Sequence, residues 1–347
     1  MTGANPIPDG PLAHGFDHYF GDDVPNFPPY TWIKDDRVAT PPTAPFVANP
    51  KPEEGSAEAR PGPMAEGWRL DAVMPTLTKT AVDWIASQKG SDKPFFLYFP
   101  WTSPHAPIVP TPEWKGRTQA GPYGDYMAQS DWTAGEVLKA LKENGFAENT
   151  IVIFSADNGP EHFAYDRARE KGHRSMGEFR GLKRDLWEGG HRVPFTVRWP
   201  RVVPKGSVSD GLLSQTDLFA TLATAIGAKL PPQSAPDSFN QLELWKGTGS
   251  STRPSMVHNT SKGSYAIRRG TWTLVDAPSG AGTRVPKGWD EANGIDADDQ
   301  PAALYDMRTD PGQKHNLLTQ HPDVVAALRQ EFRQIQESGR SRPAPTE

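Results

Sequence analysis

The chain has 347 residues, of which 36% are hydrophobic and 23% charged, so it can form one large domain or two moderate ones around a substantial core. Its 36 prolines and 32 glycines make up about a fifth of the residues, below the roughly 25–30% typical of low-complexity disorder. The formal net charge of −5 provides no global basic field, which argues against a nucleic-acid partner. The absence of cysteine excludes disulfides, thiolate metal sites and a cysteine nucleophile.

The N-terminus and the hydropathy pattern bear on localisation. The first residues contain neither a basic region nor an apolar stretch, so nothing there resembles a secretory signal. No window approaches the ~18 consecutive apolar residues that a membrane span requires. The sequence therefore predicts no membrane span, and it leaves localisation and oligomeric state open.

The first predicted elements are a long loop and a helix. Proline recurs throughout residues 1–69 and disfavours long helices or central strands, yet six aromatic residues between positions 16 and 32 indicate an ordered, packed loop. A helical period follows, because apolar side chains from residue 70 onward fall on one face. These side chains are Leu70, Val73, Leu77, Ala81, Trp84 and Ile85.

Strands and helices then alternate. The continuous apolar runs at residues 95–99 and 151–154 are typical of strands buried on both faces, and residues 195–199 predict a third strand. Helical patterns lie at residues 126–141 and 215–226. This alternation predicts an α/β fold with a mostly parallel sheet flanked by helices.

The C-terminal part reads as a small α+β subdomain. Residues 264–267 and 271–275 predict a hairpin, and residues 322–337 predict a closing amphipathic helix. We therefore predict a main domain over residues 1–250, a subdomain over 251–338 and a disordered tail over 339–347.

Polar residues follow two of the predicted strands. His105 comes after the run at 95–99, and Asp157 and Asn158 come after the run at 151–154. In open α/β sheets, ligands bind beyond the carboxyl ends of parallel strands. We therefore expect His105, Asp157 and Asn158 to converge at one edge of the sheet.

Asp157 and Asn158 allow two interpretations. Their carboxylate and amide oxygens suit a hard cation such as Ca²⁺ or Mg²⁺, although such a cation takes about six oxygen ligands. Asp-Asn-Gly is also a common turn sequence, since Asn and Gly both tolerate a positive φ. From these residues alone, both the metal site and the structural turn stay open.

The other candidate residues are basic. His105, held between two prolines, could hydrogen-bond a substrate oxygen or act as a general acid, or it could simply bond backbone. Lys183 could neutralise an anionic substrate or be a solvated charge. His162, His173 and Arg174 are weaker candidates for substrate contacts. Glu188 and Arg192, four residues apart, could form a structural ion pair.

Taken together, several segments resemble the type I sulfatases, the arylsulfatase branch of the alkaline phosphatase superfamily. The resemblance extends over nearly the whole chain in order and spacing. The matching segments are residues 15–21 (Gly-Phe-Asp-His-Tyr-Phe-Gly), 94–99 (Pro-Phe-Phe-Leu-Tyr-Phe), 103–105 (Ser-Pro-His), 157–159 (Asp-Asn-Gly), 187–194 (Trp-Glu-Gly-Gly-His-Arg-Val-Pro) and 303–311 with 316–317.

The resemblance implies hydrolysis of sulfate esters. In that family a formylglycine, made from a Cys or Ser in a Cys/Ser-x-Pro-x-Arg motif, attacks sulfur as its hydrate, and a divalent cation, Ca²⁺ rather than Mg²⁺, polarises the sulfate. Asp157 and Asn158 would be metal ligands, His105 would hydrogen-bond the ester or leaving oxygen, and Lys183 would hold the sulfate. The substrate would be a small-molecule or carbohydrate sulfate ester. Members of the family are commonly periplasmic or secreted.

The sequence departs from the family pattern in one respect. It contains neither cysteine nor a Ser-x-Pro-x-Arg segment, so no nucleophile is encoded and formylglycine cannot be made. The family's paired metal aspartates and nucleophile motif would lie before Met1, which predicts an N-terminally truncated catalytic domain that is inactive alone. Two alternatives stay open: a non-catalytic protein that binds a sulfated or phosphorylated ligand, and a phosphonate or phosphate monoester hydrolase. The segment at 187–194 favours a sulfatase over the second of these.

Overall fold

We analysed a computed structural model that describes residues 6–48, 54, 59–260, 263–297 and 299–343. The chain divides into two compact units, the first comprising residues 1–148 and 169–173 and the second residues 149–168 and 174–347. Within the described ranges, no helix combines the length and apolarity needed to cross a bilayer.

The first unit begins with short strands and continues with two long helices. The strands pair antiparallel as β1–β2–β3 and β4–β5. The elements are β1 (Phe20–Gly21), β2 (Ile33–Lys34), β3 (Arg37–Val38), β4 (Ala44–Phe46), β5 (Gly62–Met64), α1 (Val73–Ser87) and α2 (Gly121–Glu143), with 3₁₀ turns at Pro11–His14, Leu70–Ala72 and Pro112–Trp114. The two predicted helices are therefore confirmed. The described part of the loop at residues 1–69 is ordered as predicted, and residues 1–5, 49–53 and 55–58 lie outside the described residues.

Helices α1 and α2 form the core of the first unit. Their apolar faces bury Met74, Leu77 and Tyr126 together, because the side chains repeat at helical spacing. The hydroxyl groups of Thr78 and Thr133 lie 2.9 Å apart between the helices and satisfy each other. The aromatic residues of the N-terminal loop cover this core, and the rings of Phe20 and Trp32 stack at 4.9 Å.

Residues 95–99 differ from the prediction. The segment forms no strand, and alternate side chains are exposed, with Phe96 at 66% and Tyr98 at 67% exposure. The apolar run predicted a strand buried on both faces, but such burial requires hydrogen-bonded neighbours on both sides. No described strand pairs with this segment, so only one of its faces packs. Phe95 contacts Trp84 and Phe146 edge to face at 5.3 and 5.2 Å.

The second unit contains the remaining strands and helices. Its elements are β6 (Val152–Ser155), α3 (Phe163–Lys171, whose last residues belong to the first unit), α4 (Glu188–His191), β7 (Phe195–Arg198), α5 (Asp217–Ala225), α6 (Leu242–Lys246), β8 (Ser255–Asn259), β9 (Tyr265–Arg269), β10 (Trp272–Val275), α7 (Trp289–Ala292), β11 (Ala303–Asp306) and α8 (Pro322–Ser338).

Strands β6 and β7 occur where the sequence predicts them, but they pair antiparallel, with Ile153 opposite Val197. Every strand pairing among the described residues is antiparallel apart from an isolated parallel bridge. Apolar runs alone do not specify strand direction, which explains the difference from the expected parallel pairing. The α/β class itself is confirmed.

The C-terminal hairpin and helix are also confirmed. β8, β9, β10 and β11 form one antiparallel sheet in the order β11–β10–β9–β8. Helix α8 covers it, burying Val325 and Leu328 against Ile267, Leu274 and Leu304. The domain boundaries predicted at residues 250 and 338 stay predictions. Of the predicted disordered tail, residues 344–347 lie outside the described residues, and Ser341 hydrogen-bonds Asp237 at 2.8 Å.

Candidate active site

The turn that follows β6 carries the two predicted metal ligands. Asp157 is exposed, and no residue that the structure describes hydrogen-bonds its carboxylate. Asn158 donates from Nδ2 to the carbonyl of Gly159 at 2.9 Å, which leaves its Oδ1 as the atom for a ligand. The amide of Gly159 donates to the carbonyl of Gly190 at 2.9 Å, so the backbone of this turn is held in place.

A second turn, carrying Lys183, packs against the first. The amide of Lys183 donates to the carbonyl of Pro160 at 2.9 Å. The Lys183 side chain is half-buried, and within the described ranges its ammonium group has no acceptor. The second unit thus brings this lysine-bearing turn together with the Asp157–Asn158 turn, whose residues lie two and three positions before Pro160.

The lysine-bearing turn is organised by Asp185. Its buried carboxylate accepts the amide hydrogens of Leu182, Gly282 and Thr283, each at 2.7 Å. Burial raises the pKa of Asp185, although these three amides partly offset that effect. One carboxylate therefore ties the turn to the loop around residue 282.

Glu161 links the two turns electrostatically. It forms an ion pair with Arg184 and accepts hydrogen bonds from the amide and ring of His162 at 3.0 and 3.1 Å. Burial alone would raise the pKa of Glu161, but the hydrogen bonds from Arg184 and His162 outweigh it and lower the pKa to about 2. Arg184 adopts a positive φ of 77° next to Lys183, a conformation that non-glycine residues seldom take.

Within the segment at 187–194, residues 187–190 are buried and pack against the Asp157–Asn158 turn through the hydrogen bond from Gly159 to Gly190. Glu188 is 1% exposed, and its Oε2 accepts from Arg192 at 3.3 Å and from Arg268 at 2.8 Å. The predicted Glu188–Arg192 ion pair is confirmed, and Arg268 of β9 extends it. Because a buried carboxylate needs a charged partner, this pairing fixes the segment on the C-terminal sheet.

Two half-buried histidines form a pair here, His191 from this segment and His258 from β8. The Nε2 atoms of His191 and His258 are 2.6 Å apart, and Nε2 of His258 lies 2.9 Å from the carbonyl of Leu186. Since the carbonyl only accepts, we infer that Nε2 of His258 carries the proton and that Nε2 of His191 accepts. Burial lowers the pKa of both rings. The ring of His258 lowers the pKa of His191 further, whereas the Leu186 carbonyl and the charge of Glu188 partly offset the effect on His258.

We expect this histidine pair to make the fold acid-sensitive. Because the pKa of both rings is lowered in the folded protein, the unfolded imidazoles take up protons more readily below pH ~6.5, so stability falls as pH falls, by up to ~1.4 kcal/mol per pH unit for each ring. His191→Gln removes one such group and should give a shallower decline in unfolding free energy between pH 7 and 5, measured by urea titration. His14→Gln, on an exposed ring, is the control. Equal slopes for His191→Gln and wild type would contradict the assignment.

The remaining predicted site residues are distributed over both units. His105 and His173 lie in the first unit, where Nδ1 of His105 contacts the carbonyl of Ala106 at 2.6 Å and His173 lies near Tyr123. In the second unit, Arg174 donates to Gly177 at 3.0 Å and to Asn293 at 2.9 Å. The meeting of His105 with Asp157 stays a prediction, as do the roles of His162, His173 and Arg174.

The donor chemistry of the Asp157–Asn158 turn fits a hard divalent cation. A carboxylate and an amide oxygen on adjacent residues, without competing donors, are ligands of the type that Ca²⁺ takes. Two side chains cannot complete its coordination, and the described residues contain no cluster of three or more His, Asp or Glu side chains able to hold a metal. The two residues therefore fit as part of a metal site.

Sequence reasoning missed two contributors: Asp185 and the His191–His258 pair. Both act between residues about 70–100 positions apart in sequence, so no local spacing signals them. The loop around residue 282 contains two glycines, and a Cβ on Gly282 would lie 2.0 Å from the carbonyl oxygen of Arg184. Such close backbone contact is a typical reason for glycine in a loop.

Comparison with solved structures identifies the fold class. A solved structure concerned with the metabolism of multiple glycosaminoglycans by Bacteroides thetaiotaomicron superposes with a TM-score of 0.80 at 27% identity, covering 97% of this chain and 76% of that one. The PsFucS1 sulfatase from Pseudoalteromonas shares the fold, with a TM-score of 0.63 at 22% identity over 84% of this chain and 60% of that chain. The protein therefore has an alkaline phosphatase-like α/β fold.

The sequence comparisons then identify the family. The model of the Sulfatase family matches residues 4–228. An N-acetylgalactosamine-6-O-sulfatase of Bacteroides thetaiotaomicron is 36% identical over 265 residues, covering 75% of this chain and 50% of the relative. Human arylsulfatase A is 33% identical over 262 residues, covering 72% of this chain and 50% of the relative. The chain belongs to the sulfatase family, and it spans about half the length of these curated relatives.

Proposed function

We propose that this protein provides the cation-binding turn and the sulfate-binding lysine of a sulfuric ester hydrolase of the arylsulfatase type. Family membership supports this activity, and the relatives named for N-acetylgalactosamine 6-sulfate support a sulfated carbohydrate as substrate. The structural observation that carries the proposal is the hydrogen bond from the amide of Lys183 to the carbonyl of Pro160. It joins a turn bearing an ammonium group to a turn bearing two oxygen ligands.

Lys183 would bind the sulfate group of the ester. Negative charge on the sulfate oxygens grows as the S–O bond to the leaving group breaks, so a fixed ammonium group stabilises the transition state more than the ground state. The half-burial of Lys183 strengthens this interaction, because it reduces solvent screening. The Asp185 carboxylate would position Lys183 through the backbone.

His105 would hydrogen-bond the leaving-group oxygen of the ester. Its Nδ1 contacts the Ala106 carbonyl, an acceptor, so Nδ1 carries a proton and Nε2 is the nitrogen that can exchange one. In its protonated form, Nε2 would donate to the departing alkoxide as a general acid. His162, His173 and Arg174 would contact the rest of the substrate.

Asp157 and Asn158 would supply two oxygen ligands to a divalent cation, Ca²⁺ rather than Mg²⁺. Such a cation, when bound, polarises the sulfate and stabilises its developing charge. Ca²⁺ tolerates irregular oxygen coordination, whereas Mg²⁺ demands near-octahedral geometry. With two ligands from this chain, we expect Ca²⁺ binding to be weak.

The chain encodes no nucleophile of the family's type, so we propose that it does not turn over sulfate esters by itself. The sulfate-directed residues would still bind a sulfated ligand. The same residues are compatible with the alternative of a non-catalytic binding protein. That alternative predicts that the chain binds sulfate esters but does not hydrolyse them, even after a nucleophile segment has been supplied. The relatives named above are sulfatases, which favours sulfate esters over phosphate esters.

The test joins this chain to the nucleophile segment of a relative and measures hydrolysis of nitrophenyl sulfate. The completed protein should be active, and Lys183→Ala and Asp157→Ala should each lower kcat/KM by about 10²–10³-fold, the usual cost of removing a charge-stabilising group. Lys205→Ala, which removes an exposed lysine, is the control.

Three outcomes separate the hypotheses. Wild-type rates in Lys183→Ala or Asp157→Ala would remove that residue from the site. Hydrolysis by the unmodified chain, with contaminants excluded, would contradict the missing nucleophile. A folded, completed protein that binds sulfate esters without hydrolysing them would favour the binding protein, and faster hydrolysis of nitrophenyl phosphate would favour a phosphatase.

A further inference from the structure

Two adjoining grooves lie in the second unit next to the lysine-bearing turn. One has a volume of about 340 Å³ and is lined by His162, Asp166, Arg184 and Arg284, among others. The other, of about 490 Å³, is lined by Trp187, Arg284 and Asp290, among others. Both volumes lie within the ~300–1,000 Å³ typical of small-molecule sites. Arg284 borders both grooves, so its side chain is available to a ligand in either.

The position of Arg284 is set by the same contacts that hold Lys183. The hydroxyl of Thr283 donates to the carbonyl of Lys183 at 2.5 Å, and the amide of Thr283 donates to Asp185 at 2.7 Å. Gly282 lies so close to the carbonyl of Arg184 that a Cβ there would clash at 2.0 Å. Arg284 is the next residue after this segment, which is hydrogen-bonded to the lysine-bearing turn. Its backbone is therefore held in place before a ligand binds.

The charged side chains that line the two grooves differ in whether they have an ion-pair partner. The guanidinium group of Arg184 is paired with Glu161, and Asp290 is paired with Arg180 at 3.0 Å. Arg284 is exposed, and no ion pair or hydrogen bond of its side chain exists among the described residues. A guanidinium group can bind a carboxylate through two parallel hydrogen bonds, which a lysine cannot do. Arg284 thus has the chemistry and the availability to bind a carboxylate.

The other groove residues suit a ligand rich in hydroxyl groups. Asp166 is an exposed carboxylate that can accept hydroxyl hydrogens, and the exposed ring of His162 can donate or accept. A purely inorganic anion would need neither of these groups. The combination therefore indicates an organic acid that carries several hydroxyl groups, and an acidic sugar meets that description.

We propose that the grooves bind a uronic acid unit adjoining the sulfated part of the substrate, with its carboxylate paired to Arg284. The assignment rests on the proposed function for the location of the sulfate at Lys183. It narrows the substrate from a sulfate ester in general to an acidic oligosaccharide. The sulfate group of this oligosaccharide would bind Lys183, and its carboxylate would bind Arg284.

The experiment uses the intact chain and follows ligand binding by NMR titration. The probes are an unsulfated glucuronic-acid-containing disaccharide and the methyl ester of the same disaccharide, in which a methyl group removes the charge of the carboxyl group. Arg284→Gln should weaken binding of the acid by about five- to tenfold, as expected for loss of a charged hydrogen-bonded pair, and leave binding of the methyl ester unchanged. Arg333→Gln, on the exposed face of α8, is the matched control.

The outcomes distinguish this inference from the proposed function. Three results would each overturn the role of Arg284. The first is equal affinity of the wild type for the acid and the ester, and the second is no binding of the acid at millimolar concentration. The third is unchanged binding of the acid by an Arg284→Gln variant whose unfolding midpoint equals that of the wild type. Sulfate recognition is measured separately with N-acetylgalactosamine 6-sulfate, whose binding should weaken in Lys183→Ala and not in Arg284→Gln. Insensitivity to Lys183→Ala would count against the proposed function alone.

Discussion

Asp217→Ala is expected to destabilise the second unit by about 3–5 kcal/mol, the usual cost of breaking a buried ion pair. Asp217 is 1% exposed and lies at the start of α5. Its two carboxylate oxygens accept from Nη2 and Nε of Arg253 at 2.6 and 2.9 Å and from the amides of Phe239 and Ser214 at 2.8 and 2.9 Å. Its removal leaves the buried guanidinium group of Arg253 without its counter-ion, and it leaves the two amides and the Gln241 side chain, which donates to Asp217 at 3.2 Å, without this acceptor.

Urea titration followed by circular dichroism measures this effect. The double variant Asp217→Ala/Arg253→Met should lose less stability than the sum of the two single variants, because it leaves no buried unpaired charge. Asp83→Ala, which breaks the exposed Lys79–Asp83 pair on α1, should leave the midpoint unchanged within error. An additive double variant, or a loss from Asp217→Ala no larger than that of Asp83→Ala, would contradict the importance of the buried pair.

Gly159→Ala should also have a large effect, because the turn that carries Asp157 and Asn158 has no room for a side chain. An added Cβ would lie 1.8 Å from the carbonyl oxygen of Gly189, which belongs to backbone that cannot rotate away. The hydrogen bond from the Gly159 amide to Gly190 would have to break or lengthen. We expect a loss of about 1–3 kcal/mol or more from overpacking, together with loss of Ca²⁺ and sulfate binding.

The matched control is Gly135→Ala. Gly135 lies inside α2, where an added Cβ meets no atom within 4 Å, and alanine is preferred over glycine in a helix interior by roughly 0.5–1 kcal/mol. The two substitutions should therefore change the urea midpoint in opposite directions. A Gly159→Ala variant that keeps wild-type stability and calorimetric Ca²⁺ binding would show that the turn can relax and that its close packing is dispensable.

Helices were the most predictable part of the fold. The apolar period beginning at residue 70 and the pattern at 322–337 each correspond to a long helix, α1 and α8. Their faces are encoded within a few turns of sequence, since every third or fourth side chain points the same way. The hairpin of β9 and β10 was also predictable from local sequence, because a short turn joins its two strands.

Strand pairing was less predictable. The run at 151–154 forms β6, yet the equally apolar run at 95–99 forms no strand, because a strand exists only with a hydrogen-bonded neighbour. The antiparallel pairing of β6 with β7 depends on the path of residues 156–194 between them and has no local signature. Strand identity and direction are therefore properties of the assembled sheet.

The four predicted helices α1, α2, α5 and α8, the α/β class, the family resemblance and the residue types of the site could be read from local spacing or short motifs in the sequence by itself, whereas helices α3, α4, α6 and α7 could not. Only the tertiary structure decided that Lys183 lies against the Asp157 turn, that Asp185 ties it to the loop at 282, and that Arg284 borders the adjoining grooves. The physical reason is that these contacts join backbone amides, carbonyls and carboxylates far apart in the chain. Such groups are present along the whole chain, so their pairing is specified by folding rather than by composition or period.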